Sequence, residues 1–328
     1  MRKESAARYT VGRTVSINKS LFLRGFLAPL RVSVLRVFCW GNCVSFSRLW
    51  ISPRAVGTRP TLGFAVATGL ALLVTAAALT AAAAQRGVTP VPRTDRNSQI
   101  AHEQLIEKSR RGGIDVYFAG DSITRRWGTS DAVYRDFFDN WRRNFFGWNA
   151  ANFGWGGDTV ENILWRVSNG ELDGVHPKII VLLAGTNNVG NVPRDGVDTA
   201  VVDEVVRGID AIVAVMRAKA PDATIVITGV TPRRDRNGAT TVMPTIDAIN
   251  SRLASLADGT RIRYININSR LAGRDGVLVD GVTVDGLHLS VAGYQMWADA
   301  LKPIFTERLG PPASTDHAPP PTEDPSAR

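Results

Sequence analysis

Ser122 ends the sequence Phe118-Ala-Gly-Asp-Ser, which closes a short apolar run (Ile114 to Ala119) and opens a polar turn into a helix. A strand that finishes on Gly-Asp-Ser presents a hydroxyl at the carboxyl edge of a sheet, where open α/β sheets bind ligands. A serine there serves as a nucleophile when a base lies nearby. The base fitted to it is His288, three residues after Asp285 in Val284-Asp-Gly-Leu-His-Leu-Ser. This spacing lets the carboxylate reach the imidazole Nδ1 while Nε2 faces a serine. The chain has four histidines, and the other three suit the role poorly. His102 falls in an early charged helix, His176 precedes Pro177 in a turn, and His317 is in the tail.

Acyl transfer also needs donors aimed at the oxyanion of its tetrahedral intermediate. Three groups form a suitable trio: the Ser122 N–H at the start of its helix, the Gly157 N–H, and the Asn187 side-chain amide. Gly157 lacks the Cβ that would keep a ligand away, and Asn187 stands closer to its strand end than Asn188. Asp121, next to the nucleophile, is expected to hold the turn by accepting from nearby amides, and Asp158 to cap its helix. Arg125, Arg126 and Trp127 follow the nucleophile and are read mainly as surface residues that could border the cleft.

These segments come together only if the elements between them build one sheet. Strands are expected at Asp115–Ala119, Ala150–Phe153, Ile179–Ala184, Thr224–Val230 and Ile262–Ile267. The third is apolar throughout, as befits a strand buried on both faces. Helical stripes lie between them: Val160, Ile163, Leu164 and Val167; Val202, Val205, Ile209, Ile212 and Met216; Ile246, Ile249 and Leu253; Tyr294, Trp297, Leu301 and Ile304. Ser290 stands where it would cap the last. The alternation predicts an α/β fold, a three-layer α/β/α sandwich on a parallel five-stranded sheet of flavodoxin-like type, over residues 98–309. In such a sheet Gly120-Asp-Ser122, Asn152 to Asp158, Gly185-Thr-Asn-Asn188 and Asp285-Gly-Leu-His288 converge on one edge.

Outside this body the chain changes character. Residues 1–61 carry eleven of the 39 Lys and Arg but one of the 30 Asp and Glu, so the remaining 28 basic and 29 acidic residues nearly cancel. The high isoelectric point therefore belongs to a basic extension and not to a folded basic face, which argues against nucleic-acid binding. Residues 62–84 are 23 uncharged positions ending in Ala-Ala-Ala-Ala, long enough as a helix to span about 35 Å. They read as the apolar core of an export signal cleaved near Ala84, or failing that as a membrane anchor. The expected location is thus secreted or periplasmic, with membrane contact only through 62–84 if uncleaved. The unusual length ahead of this signal leads us to expect a true start near Val56. Cys39 and Cys43 both precede it, so the exported body has no cysteine for disulfides, zinc-thiolate sites or a thiol nucleophile. Residues 85–97, with Pro90 and Pro92, read as a linker, and 310–328, rich in proline, as a disordered tail.

Taken together, the four polar segments resemble the SGNH, or GDSL-like, hydrolase superfamily, whose markers are a Ser, a Gly, an Asn and a His in this order. The resemblance spans about residues 114–305. Asn152-Phe-Gly-Trp-Gly-Gly-Asp-Thr, Val160-Glu-Asn-Ile-Leu-Trp-Arg-Val, Asn169-Gly-Glu-Leu, His176-Pro-Lys and Gly185-Thr-Asn-Asn resemble the catalytic subunits of platelet-activating-factor acetylhydrolase most closely. It implies Ser122 as nucleophile, Gly157 and Asn187 as oxyanion donors, and Asp285 and His288 as the rest of the triad. It further implies that Ile123 and Leu287 line an acyl pocket for a short group such as acetyl. The export signal departs from a cytosolic subunit, so similarity of motif need not carry over the substrate.

Other chemistries find little support. There is no Gly-x-Ser-x-Gly elbow, no Gly-Lys-Ser/Thr phosphate loop and no histidine cluster for a catalytic metal. A glycosidase would need two facing carboxylates, and only Asp121 and Asp158 offer themselves. The expectation is a serine esterase with no metal or organic cofactor, acting on a small-molecule or polysaccharide acyl ester such as an O-acetylated carbohydrate or a phospholipid. The competing class is a non-catalytic carbohydrate-binding or scaffold protein on the same fold.

Overall fold

The structure is a computed structural model, and it describes residues 85–327. The basic extension, the apolar segment 62–84, the start near Val56 and both cysteines lie outside the described residues. Five parallel strands, β1 (Val116–Gly120), β2 (Ala150–Gly154), β3 (Ile179–Leu183), β4 (Thr224–Thr228) and β5 (Ile262–Ile265), form a sheet in the order β2-β1-β3-β4-β5. Because the chain steps from β1 out to β2 and then back across to β3, the sheet reverses its winding between β1 and β3. Such reversals open a crevice at the carboxyl ends of the strands.

Side-chain alternation builds a core on each face. On one face Tyr117, Ala119, Ile180, Leu182, Ile225 and Ile227 pack with helices α4 (Val160–Arg166), α6 (Thr199–Lys219) and α7 (Met243–Ala254), and with Leu105 of α1 (Arg96–Arg110). On the other face Val116, Phe118, Val181, Leu183 and Val226 meet α2 (Ser122–Trp127), α3 (Arg135–Phe145) and α9 (Val291–Leu309). Two one-turn helices, α5 (Thr186–Val189) and α8 (Asn268–Leu271), follow β3 and β5. The three-layer sandwich is therefore as expected, with strand ends displaced by one or two residues.

Helix α3 is absent from the sequence expectation, since its Trp141 and Phe145 are interleaved with Arg, Asp and Asn. Its aromatics are recruited by partners distant in sequence: Trp127 stands 5.5 Å from Trp141 and 4.9 Å from Phe145, ring centre to ring centre. The helix over the Val160 stripe is capped by Thr159, which exchanges bonds with Asn162, and not by Asp158. Ser290 does cap α9, accepting from the Gly293 N–H.

Both flanking segments are docked. The stretch expected as a linker packs on α4: Glu161 accepts from the Gly87 and Val91 amides, and Asn162 Nδ2 donates to the Val91 carbonyl at 2.9 Å. The tail expected to be disordered lies along the body. Trp148 Nε1 donates to Gly310 O (3.0 Å), the Gly147 amide to Asp316 (2.7 Å), Thr129 Oγ1 to Thr322 O (2.8 Å) and Asn97 Nδ2 to Asp324 (2.8 Å). Its prolines explain the correction: with φ already restricted, little backbone entropy is lost when the segment is laid down.

Candidate active site

The β1 strand delivers Ser122 to the crevice. Asp121 turns the chain there, its Oδ1 accepting from the Ile123 amide at 2.9 Å, and α2 starts at Ser122. The short helix is pinned from below. Tyr294 of α9 donates its hydroxyl to the Ile123 carbonyl at 2.6 Å, and Trp127 stacks on Tyr294 and Trp297 at 4.9 and 5.0 Å. These buried contacts hold the first turn of α2 in place while Ser122 itself stays half-buried.

Opposite it, the loop before α9 carries the imidazole. Ser122 Oγ lies 2.9 Å from His288 Nε2, and His288 Nδ1 lies 2.7 Å from Asp285 Oδ2. The second oxygen of Asp285 accepts from the His288 and Leu287 amides at 2.8 and 3.1 Å, so the carboxylate orients both ring and backbone. Further bonds tie the loop down, from Val284 N–H to His288 O (2.9 Å) and from Arg234 N–H to Gly286 O (2.8 Å). Serine, histidine and aspartate thus form one continuous hydrogen-bonded relay, brought together as the sequence required.

Burial pushes the His288 pKa below the ordinary 6.5; Asp285 opposes that shift, and the Arg126 and Arg233 cations add to it. The ring is consequently neutral near pH 7 and able to accept a proton. Desolvation raises the Asp285 carboxyl, but the bonds from the His288 amide and ring outweigh it and hold the pKa below 3.8. Asp285 is ionised throughout the neutral range.

Gly157 and Asn187 occupy neighbouring loops on the same rim. Gly157 has φ = 78°, which suits a residue without a Cβ, and is exposed. Asn187, in the single turn α5 after β3, donates from Nδ2 to the Asp158 carbonyl at 2.8 Å, which fastens the two loops together. Asn188 points elsewhere: it donates to Glu161 and Glu204 and accepts from the Val160 amide. Of the two asparagines, Asn187 is thus the one fastened to the Gly157 loop.

Three expectations need correction. Arg125 and Trp127, read mainly as surface residues, are buried, Trp127 in the aromatic core and Arg125 against Asp131. Ile123 is 0% exposed and sits in the aromatic core, because α2 turns that position toward α9. It offers no surface to an acyl chain. Leu287, by contrast, is half-buried beside His288. Asp158 is no helix cap but a buried carboxylate held by Arg166 Nε at 2.6 Å and by Arg93 Nη1 at 3.3 Å. Desolvation nevertheless raises its pKa to about 6.

Three arginines stand near the site: Arg126, read mainly as a surface residue bordering the cleft, and Arg166 and Arg233, which escaped the sequence reading as functional groups. Arg126 Nη1 stands 3.5 Å from Asp285 Oδ2. Arg233, 6% exposed, donates to the Thr186 carbonyl at 2.9 Å and lies close enough to shift the pKa of His288. Arg166 joins Asp158, Glu171, Phe153 O and Gly120 O beneath the loops. The signal available for Arg233 was its place just past β4, at the same sheet edge as Ser122 and Asn187.

Comparison with known proteins identifies the family. The GDSL-like Lipase/Acylhydrolase family model matches residues 118–296, more than half of the chain. The platelet-activating factor acetylhydrolase IB subunit alpha2 of Rattus norvegicus is 32% identical over 209 residues, covering 63% of this chain and 83% of the relative. The alpha1 subunit of Bos taurus is 29% identical over 232 residues, 68% of this chain and 89% of the relative. A solved structure from Bacteroides fragilis, described as a candidate acylhydrolase, shares the fold with a TM-score of 0.50 at 21% identity, over 66% of this chain and 99% of that one. The chain belongs to the GDSL-like lipase/acylhydrolase family and is a carboxylic ester hydrolase.

Proposed function

We propose that Ser122, His288 and Asp285 are the catalytic triad and that the reaction is hydrolysis of a short-chain acyl ester, with acetyl as the preferred group. The observation that carries this reading is the relay itself, 2.9 Å from Ser122 Oγ to His288 Nε2 and 2.7 Å from His288 Nδ1 to Asp285. As Oγ attacks the ester carbon, its proton passes to Nε2 and the carbonyl π pair moves onto oxygen. The Ser122 and Gly157 amides and the Asn187 side chain receive that oxyanion, each such donor being worth about 10² to 10³ in rate. When the intermediate collapses, the C–O bond to the alcohol breaks and His288 returns its proton to the leaving oxygen. Water, deprotonated by His288, then attacks the acyl-enzyme; the second tetrahedral intermediate releases the carboxylic acid and Ser122 regains its proton.

The relatives named platelet-activating factor acetylhydrolase support an acetyl ester; the substrate is an O-acetylated carbohydrate or a phospholipid, and its deacetylated alcohol is the leaving group. Export through residues 62–84 places the enzyme with polysaccharide and envelope esters and is checked by sequencing the amino terminus of the natural product. A mature chain that retains residues 1–31 counts against it. Acetate release from acetylated xylan, acetylated peptidoglycan and acetylated phospholipid, with Ser122→Ala as control, tests activity and substrate together. Acetyl to octanoyl p-nitrophenyl esters test the acyl group, and a maximum at eight carbons overturns the acetyl preference. A fluorophosphonate that labels the protein anywhere but Ser122, or not at all, overturns the triad.

A further inference from the structure

Arg93 lies in the segment ahead of α1, 25 residues before the family match begins at 118. Its Nη1 donates to the Gly156 carbonyl at 3.0 Å and to Asp158 Oδ1 at 3.3 Å. A Cβ built on Gly157 would come within 3.2 Å of the same nitrogen, so the guanidinium lies directly against this glycine. The arginine is itself held: Nε and Nη2 bond Asp95 at 3.1 and 3.0 Å, and Asp95 is the N-cap of α1, accepting from the Ser98 amide at 2.9 Å.

The carbonyl of Gly156 and the amide of Gly157 belong to one peptide group. In a trans peptide the C=O and N–H point in opposite directions, so fixing the oxygen fixes where the hydrogen is aimed. A Gly-Gly peptide resists rotation less than any other, because neither neighbour has a Cβ to penalise the flipped arrangement. The sequence therefore places the most easily turned peptide of the loop at the position where a donor must stay preset. Hydrogen bonding at the carbonyl also polarises the amide and strengthens its N–H as a donor. On the far side of the loop, Asn187 Nδ2 holds the Asp158 carbonyl at 2.8 Å.

We infer that Arg93 is a positioning residue for the oxyanion hole: it anchors the Gly156–Gly157 peptide so that the Gly157 N–H faces the reacting carbonyl. The inference rests on the triad reading above, and it makes a residue outside the matched family segment part of the machinery. The segment 85–97 then serves as more than a connection, since its contacts with α4 carry Arg93 to the rim.

The test uses the full chain and p-nitrophenyl acetate. Arg93→Ala is expected to lower kcat about 10- to 100-fold with KM changed less than about threefold, part of the loss expected for a removed donor. Arg93→Lys, which retains a cationic donor, recovers part of kcat, and guanidinium at sub-denaturing concentration raises the rate of Arg93→Ala but not of the wild type. Wild-type kcat in Arg93→Ala overturns the inference. So does a fall in kcat that neither lysine nor guanidinium reverses, which would mark a merely structural role and would be accompanied by a lower melting temperature. Ser122→Ala run in parallel separates the two readings: turnover surviving there sinks the triad, whereas a dead Ser122→Ala beside a fully active Arg93→Ala sinks only the role of Arg93.

Discussion

Ser122 Oγ and His288 Nε2 stand 2.9 Å apart although 166 positions separate them in the chain. One comes from the end of β1 and the other from the loop before α9, and the Tyr294 hydroxyl on the Ile123 carbonyl ties α9 to α2, the helix that Ser122 begins. Asp285 completes the line. Asp285→Asn keeps the shape but favours the wrong imidazole tautomer, so kcat on p-nitrophenyl acetate should fall about 10³- to 10⁴-fold, measured against a folded control by circular dichroism.

The acid limb of the pH profile follows from the His288 environment. Burial, with Arg126 and Arg233, holds the ring pKa below 6.5, and the reaction needs the neutral form. Activity therefore rises with pH through an inflection below the ordinary histidine value in kcat/KM. Arg126→Gln removes one of the cations that disfavour the imidazolium, so the inflection moves upward; an unchanged or lower inflection contradicts this account.

Asp121 yields a stability prediction of defined sign. Desolvation raises its pKa to about 7, and its Oδ2 is buried with no hydrogen-bond partner among the described residues. Between the unfolded value near 3.8 and the folded value near 7 the native state binds the extra proton, so this group destabilises the fold progressively as pH rises through that window. Asp121→Asn, whose carbonyl can still accept from the Ile123 amide, should gain melting temperature relative to wild type as pH goes from 4 to 8. The difference in melting temperature between the two proteins across that range is the measurement, and a constant difference refutes it.

Trp127 couples the core to the nucleophile. It is fully buried, stacks on Tyr294 and Trp297, and donates Nε1 to Asn140 at 2.9 Å. Trp127→Ala should cost about 3–5 kcal/mol in urea unfolding. Because α2 begins at Ser122, turnover should fall as well, even under conditions where the variant is fully folded.

The docked tail makes a separate claim. A chain ending at Pro311 loses the Asp316, Thr322 and Asp324 contacts, including the Asp324 carboxylate that pairs with Arg125 beside Asp131. Its melting temperature should drop, and hydrogen exchange should quicken at Gly147, whose amide is held by Asp316. Identical exchange at that amide in the two chains would show that the tail contributes nothing there.

The sequence by itself determined the strands and the order of chemical groups. Runs such as Ile179-Ile-Val-Leu-Leu are apolar because both faces of β3 are covered, and Gly-Asp-Ser, Gly-Thr-Asn-Asn and Asp-x-x-His stand at strand ends and before a helix, where local pattern is informative. Local pattern cannot say which way a short helix faces. Ile123, adjacent to the nucleophile, was expected at the acyl pocket, and only the packing of α2 against Tyr294 and Trp297 turned it inward. The same holds for Arg93, Arg126, Arg166 and Arg233. Each is an ordinary arginine in the chain, given a partner by residues 65, 159, 8 and 47 positions away. Tertiary structure also decided the fate of the two flanks, since polar, proline-containing segments dock only where a body presents matching donors and acceptors. Composition registers how much water a segment tolerates, whereas docking depends on geometry that exists only once the chain is folded.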